Sequence, residues 1–222
     1  MKHFKNFKTC VYCTAQTLAS LDETTLARDY AYLEKYVGID KVYLETYRDG
    51  TWVAIDHMKM IQNFFKKHGV EIAGGITTVT PPLEKDDVKR QRLFQTFCYS
   101  NEAMRTYLKK IVTYTAELFD EIILDDFFFT SCTCDDCLRE RSNLSWAEFR
   151  SKKMIDVAEN LILKPAKLAN PSVKVTIKYP NWRESYHETG YVPKIQPSMF
   201  DKIYTGTETR NTAHTDQHLP RY

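Results

Sequence analysis

The sequence has no apolar run near the roughly 20 residues needed to cross a bilayer, and its start, "MKHFKNFKTCVYC", lacks the apolar centre of a secretory leader. No membrane partner is expected. The compartment stays open: cytoplasmic by default, secreted or periplasmic if a leader has been cropped. Charge of one sign is also lacking, since 31 Lys and Arg stand against 29 Asp and Glu. Without a long-range field, no nucleic-acid partner is expected either. A third absence is the Gly-rich phosphate loop of nucleotide-binding sheets, because "CTAQTLAS" stands where that loop would follow the first strand. His187, His214 and His218 follow no ligand spacing.

What is present is a chain of 222 residues, 43% hydrophobic, long enough to bury one substantial core. Short apolar runs alternate with longer amphipathic stretches, the pattern of strand and helix units around a parallel sheet. Six strands are expected: Lys8 to Thr14, Lys41 to Thr46, Glu71 to Val79, Glu121 to Asp125, Lys174 to Tyr179 and Lys202 to Thr205. Between them the periodicity predicts helices from Asp22 to Val37, around Ile61 to His68, around Met104 to Leu118, and from Ser145 to Ala169, the last ending or kinking near Pro165. The first of these carries a capping-box pattern, Ser20 with Glu23, and a stop at Gly38. Residues 80 to 100 read as an inserted loop. The expected fold class is therefore α/β, a (β/α) TIM-type barrel of about six strands of the usual eight. The expected domain organisation is a single unit over 1–222, truncated after its sixth strand.

Three cysteines crowd the stretch "EIILDDFFFTSCTCDDC". Cys132, Cys134 and Cys137 are spaced C-x-C-x-x-C, and Cys98 precedes the helix feeding the same strand, which places it at the same end of the barrel. Four soft ligands that can converge without backbone strain suit a structural Zn2+ site. A disulfide pair with free thiols, or buried thiols acting as small hydrophobes, are the alternatives. Cys10 and Cys13 have no partner pair to complete a tetrahedral set and are expected to pack in the core.

The stretch "CYSNEAMRTYLKKIVTYTAEL", a strand ending in two polar residues, and "CTCDDCLRERSNLSWAEFR" together resemble the family 42 glycoside hydrolases, the β-galactosidases. The resemblance covers roughly residues 98 to 150. It implies a (β/α)8 barrel, zinc held by a cysteine before a helix and a C-x-C-x-x-C loop after strand four, and cleavage of terminal β-galactosides with retention. It also implies an Asn-Glu pair at the end of strand four, whose Glu is the acid/base, and a Glu nucleophile on strand seven. Here Asp125 and Asp126 stand in the place of Asn-Glu, and no seventh strand is read. The expectation is accordingly a glycoside-hydrolase-like barrel distantly similar to that family.

Barrel chemistry gathers at the C-terminal ends of the strands. Those ends carry Glu45, Tyr47 and Arg48, then Thr77 and Thr78, then Asp125 and Asp126, then Lys178, Tyr179 and Trp182, and finally Glu208 and Arg210. Aromatic faces with carboxylates and Arg suit a carbohydrate substrate. Glycoside hydrolysis needs two carboxyl groups, about 5 to 5.5 Å apart for retention and about 6.5 to 9.5 Å for inversion. The candidate catalytic residues are Asp126, Asp125 and Glu208, with Asp126 favoured. The candidate substrate-binding residues are Glu45, Tyr47, Arg48, Lys178, Tyr179, Trp182 and Arg210. Against a catalytic reading, the Asp pair can cap a turn or pair with Arg139 or Arg141, and Phe127 to Phe129 suit a hydrophobic plug. The rival function is a non-catalytic carbohydrate-binding or assembly module. A third reading has the open sheet edges pair to form a homo-oligomer.

Overall fold

The computed structural model describes residues 4–80, 92–180 and 186–206. Its centre is one sheet of strands β1 (Cys10–Cys13), β2 (Lys41–Arg48), β3 (Thr51–Trp52), β4 (Glu71–Ile76), β5 (Glu121–Leu124), β6 (Lys174–Tyr179) and β7 (Lys202–Thr205). Six of them run parallel in the order β1-β2-β4-β5-β6-β7, and two-residue β3 folds back antiparallel on β2. The six are the expected strands. β3 was not expected, although "DG" is a strong hairpin signal and Asp49 and Gly50 both adopt positive φ there.

The helices are α1 (Ala15–Ser20), α2 (Glu23–Tyr36), α3 (Ile55–Lys67), α4 (Glu102–Leu118), α5 (Asp135–Arg141), α6 (Trp146–Val157) and α7 (Lys164–Ala169), and all but α5, which joins the cysteine cluster, pack on the convex face. Leu44, Ile61 and Phe65 anchor one helix-facing cluster, and Leu108, Ile111, Leu124, Leu161 and Ile177 anchor another. Truncating any of these buried side chains to alanine costs about 2–5 kcal/mol. Among the described residues no helix is long and apolar enough to cross a membrane.

Two helix details differ from expectation. Asp22, not Ser20, caps α2 by accepting from Thr25 N at 2.7 Å, while the Ser20 hydroxyl donates back to Thr17 O within the short α1. The long C-terminal helix does not break at Pro165. A π-helical stretch, Ala158–Leu163, joins α6 to α7, and this wider turn accommodates a proline that has no N–H to give and whose ring would crowd the carbonyl of Leu161.

The sheet curls into a half-barrel whose concave face is a separate layer of Tyr12, Tyr43, Ala73 and Ile123. The curl is tight enough that the Tyr43 hydroxyl on β2 lies 2.6 Å from that of Tyr204 on β7. At the N-terminal strand ends the concave face carries charge: Lys41 pairs with Glu71 at 3.0 Å and with Glu121 at 2.8 Å, and Lys202 with Glu121 at 2.7 Å.

Candidate active site

Strand alternation places every second side chain on the concave face, so Tyr43 and Glu45 on β2, and Ile123 on β5 with Asp125 just beyond its end, point inward. A bulge then changes the count on β2: the register against β4 slips between Glu45 and Tyr47. Thr46 and Tyr47 both turn to the helix side, where Thr46 meets the Thr115 hydroxyl at 2.6 Å, and Arg48 swings inward. Without the bulge Tyr47 would line the cleft and Arg48 would not.

Glu45 is the hub. Fully buried, its carboxylate accepts from Tyr12 Oη at 2.7 Å, from Ala15 N at 2.7 Å, from the Thr77 hydroxyl, and from Arg48 Nε at 2.9 and 3.1 Å. A buried carboxylate needs this many donors, and here it has them. Burial alone would lower the Arg48 pKa, but the hydrogen bonds and charge of Glu45, with Tyr12 and Asp125 beyond, raise it above its ordinary value. Burial first, then the Glu45 charge, pushes the Tyr12 phenol far up. Gly75 opposite has no room for a side chain, since a Cβ there would lie 2.7 Å from the Tyr12 hydroxyl.

From this anchor Arg48 Nη2 reaches Asp125 Oδ2 at 2.9 Å. Asp125 Oδ1 accepts from Lys178 Nζ at 3.3 Å and from Asp126 N at 2.9 Å. Lys178 also lies 3.7 Å from Asp126 Oδ2, so one ammonium faces both carboxylates. The result is a continuous charged chain, Glu45, Arg48, Asp125, Lys178, Asp126, across the ends of β2, β5 and β6. The backbone beneath is fixed as well: Asp126 O accepts from buried Tyr191 Oη at 2.8 Å, and Phe127 O from Thr78 Oγ1 at 2.6 Å.

The sequence reading is thus sorted by geometry. Arg48, Asp125, Asp126 and Lys178 come together. Glu45 sits behind them as a buried anchor rather than on the cleft wall. Tyr47 is fully buried against Trp52, Phe97 and Tyr107, and Tyr179 is turned to the helix side among Tyr186 and Tyr191, so neither stands at the rim. Trp182, Glu208 and Arg210 lie outside the described residues. Arg139 pairs with Asp136, and the Arg141 guanidinium donates to Leu144 O, so neither serves the Asp pair. Of the phenylalanine run, Phe128 and Phe129 are a plug, but Phe127 is only half-buried. Tyr12, whose hydroxyl completes the anchor, was missed; its place in a strand with Glu45 next door was the only available signal.

The second constellation is the sulfur cluster. The ligand atoms of Cys98, Cys132, Cys134 and Cys137 all lie within 4.8 Å of one another, with Cys98 Sγ 3.6 Å from Cys134 Sγ and 3.7 Å from Cys137 Sγ. All are free thiols. Tetrahedral Zn–S bonds of about 2.3 Å put sulfurs about 3.8 Å apart, so the set fits such an ion. The thiols share hydrogen bonds, which lower the pKa of Cys132 and raise those of Cys98 and Cys137. Phe149, Met104, Leu144 and Trp146 close an apolar shell around it. Cys10 and Cys13 take no part: Cys10 is exposed rather than core-packed, and burial pushes half-buried Cys13 up to about 11.

Comparison with known proteins gives the following. A family profile described as "Probable glycosyl hydrolase, catalytic domain" matches residues 1–222. An uncharacterized protein of Saccharolobus solfataricus is 33% identical over 230 residues, spanning 93% of this chain and 38% of that protein. Among solved structures, the β-galactosidase of the psychrophilic Marinomonas ef1 aligns with a TM-score of 0.63 at 13% identity, over 91% of this chain and 41% of its own. A cold-adapted β-galactosidase from Rahnella sp. R3 aligns with a TM-score of 0.63 at 12% identity, over 93% and 41%. At these identities the likeness is one of fold. The chain spans 38% to 41% of the length of these proteins.

Proposed function

Because the chain belongs to the family described as probable glycosyl hydrolase catalytic domains, we propose that it is a glycosidase unit acting on a carbohydrate with the Asp125–Asp126 pair at the reacting bond. One observation carries the reading: two adjacent carboxylates at the C-terminal end of a barrel strand share a single ammonium, Lys178, at 3.3 and 3.7 Å. Chain direction puts this pair where barrel enzymes assemble their sites. In this reading Asp125, gripped from the other side by Arg48, works as an anion opposite the positive charge that develops at an anomeric carbon. Asp126 stands where the resembling family has its acid/base. The second carboxyl group is assigned to Glu208 or to a barrel segment this chain does not span.

The four cysteines are proposed to hold Zn2+. With four sulfur ligands the ion would be structural, pinning the loop that leaves Asp126. Residues 1–222 are proposed to act as one unit, with carbohydrate as the partner.

Hydrolysis of a panel of aryl glycosides by the full-length protein, with Asp125→Asn, Asp126→Asn and Glu208→Gln, tests this. Loss of at least about a hundredfold in kcat for either aspartate supports it; rates equal to wild type in both aspartate variants would overturn it. One observation favours a non-catalytic carbohydrate-binding module instead: both Asp125 oxygens already accept protein donors. Saturable sugar binding without turnover would select that reading.

A further inference from the structure

Phe94 sits at the tip of a tight turn with φ 53, and Gln95 beside it has φ 54. Two consecutive non-glycine residues in the left-handed region are costly, and such strain persists only where surrounding bonds impose it. Here they do. Leu93 N donates to Ser131 Oγ at 2.8 Å on the loop after β5, while Gln95 O accepts from Thr80 N at 2.9 Å and Phe97 N donates to Thr78 O at 3.1 Å on the chain leaving β4. A turn clamped from two sides holds out a large apolar ring that is 52% exposed. Exposed phenylalanines alone are ordinary, and Phe4 and Phe7 are exposed too. What distinguishes Phe94 is its neighbour: its ring meets the half-buried ring of Phe127 edge-on at 5.2 Å, and Arg48 lies over that ring at 5.6 Å. Arg48 is the residue that holds Asp125.

We propose that the exposed ring of Phe94, braced edge-on by Phe127, is an aromatic platform that receives the apolar face of a sugar ring next to the reacting bond. A pyranose presents C–H bonds on one face and hydroxyls around its edge; the platform would take the first, and Arg48 at its border the second. The strained turn spares the site the cost of ordering the ring on binding. The inference rests on the glycosidase reading but its test separates the two.

The experiment uses full-length protein with Asp126→Asn, to prevent turnover, on an array of neutral oligosaccharides, in Phe94, Phe94→Trp and Phe94→Leu backgrounds. Retention of at least one oligosaccharide that weakens about tenfold in Phe94→Leu and is kept in Phe94→Trp is expected, because leucine is apolar but offers no ring face. Equal retention by the leucine variant, or no retention by any, would overturn the platform. Aryl glycoside turnover by Phe94→Leu with Asp126 intact is read in parallel. Turnover that depends on Asp126 while the array ignores Phe94 leaves the enzyme and removes the platform. Retention that depends on Phe94 while turnover ignores Asp126 does the reverse.

Discussion

At the scale of single residues, Glu45 decides most. Among the described residues of the site it is the carboxylate that water does not reach, and its partners are what aim Arg48 at Asp125. Replacing it with alanine leaves a guanidinium half-buried without its anchor and strands the Tyr12 hydroxyl, so we expect Glu45→Ala to cost about 3–5 kcal/mol. Urea unfolding checks this, and a midpoint unchanged from wild type would deny the anchor its role. Sequence reading grouped Glu45 with Arg48, its partner here, but did not find its other donors, since a carboxylate at a strand end looks alike whether it faces substrate or four donors. Tyr47 misled for a sharper reason. Its position relative to Glu45 has the right parity for the cleft, and only the bulge between them, which depends on the pairing with β4, reverses it.

At the scale of elements, what was legible was what depends on local pattern. β6 and β7 fall on the expected residues, and the helix over Glu102–Leu118 follows its apolar spacing. α1 and the hairpin to β3 were too short to show a period. The cysteine loop was legible because ligand spacing is itself a local property, and the arrival of Cys98 followed from chain direction alone. For this loop we expect bound metal in purified protein and, on chelation or in Cys134→Ser, a loss of about 3 kcal/mol or more, roughly 10 °C in Tm. Elemental analysis with thermal unfolding measures it. The charged ends of β2, β4 and β5 make a different prediction. Burial alone would raise the Glu121 pKa, but the Lys202 and Lys41 ammoniums bonded to it bring it below its ordinary 4.5. Glu71 is lowered too, first by its hydrogen bond from Lys41. A depressed folded-state pKa stabilises above 4.5 and is lost as pH falls through the folded value. Stability should therefore drop on acidification below pH 4.5, and less steeply in Glu121→Gln, as urea midpoints across that range would register.

At the scale of the whole molecule, β1 and β7 are the outermost strands among the described residues, and β7 is exposed along its length, with Ile203 44% exposed. An unpaired, partly apolar edge invites pairing. The 222-residue chain on its own is expected to self-associate at raised concentration, and Ile203→Lys to reduce that association. Light scattering of the two reads the outcome, and equal association in both would place the contact elsewhere.

The phenol contact between Tyr43 and Tyr204 joins strands that three others separate in the sheet. It therefore acts as a built-in gauge of curvature, because the sheet cannot flatten without parting the two rings. Burial first, then the hydrogen bond to Tyr204, raises the Tyr43 phenol. Exposure of that tyrosine to solvent would consequently track whether the half-barrel keeps its bend.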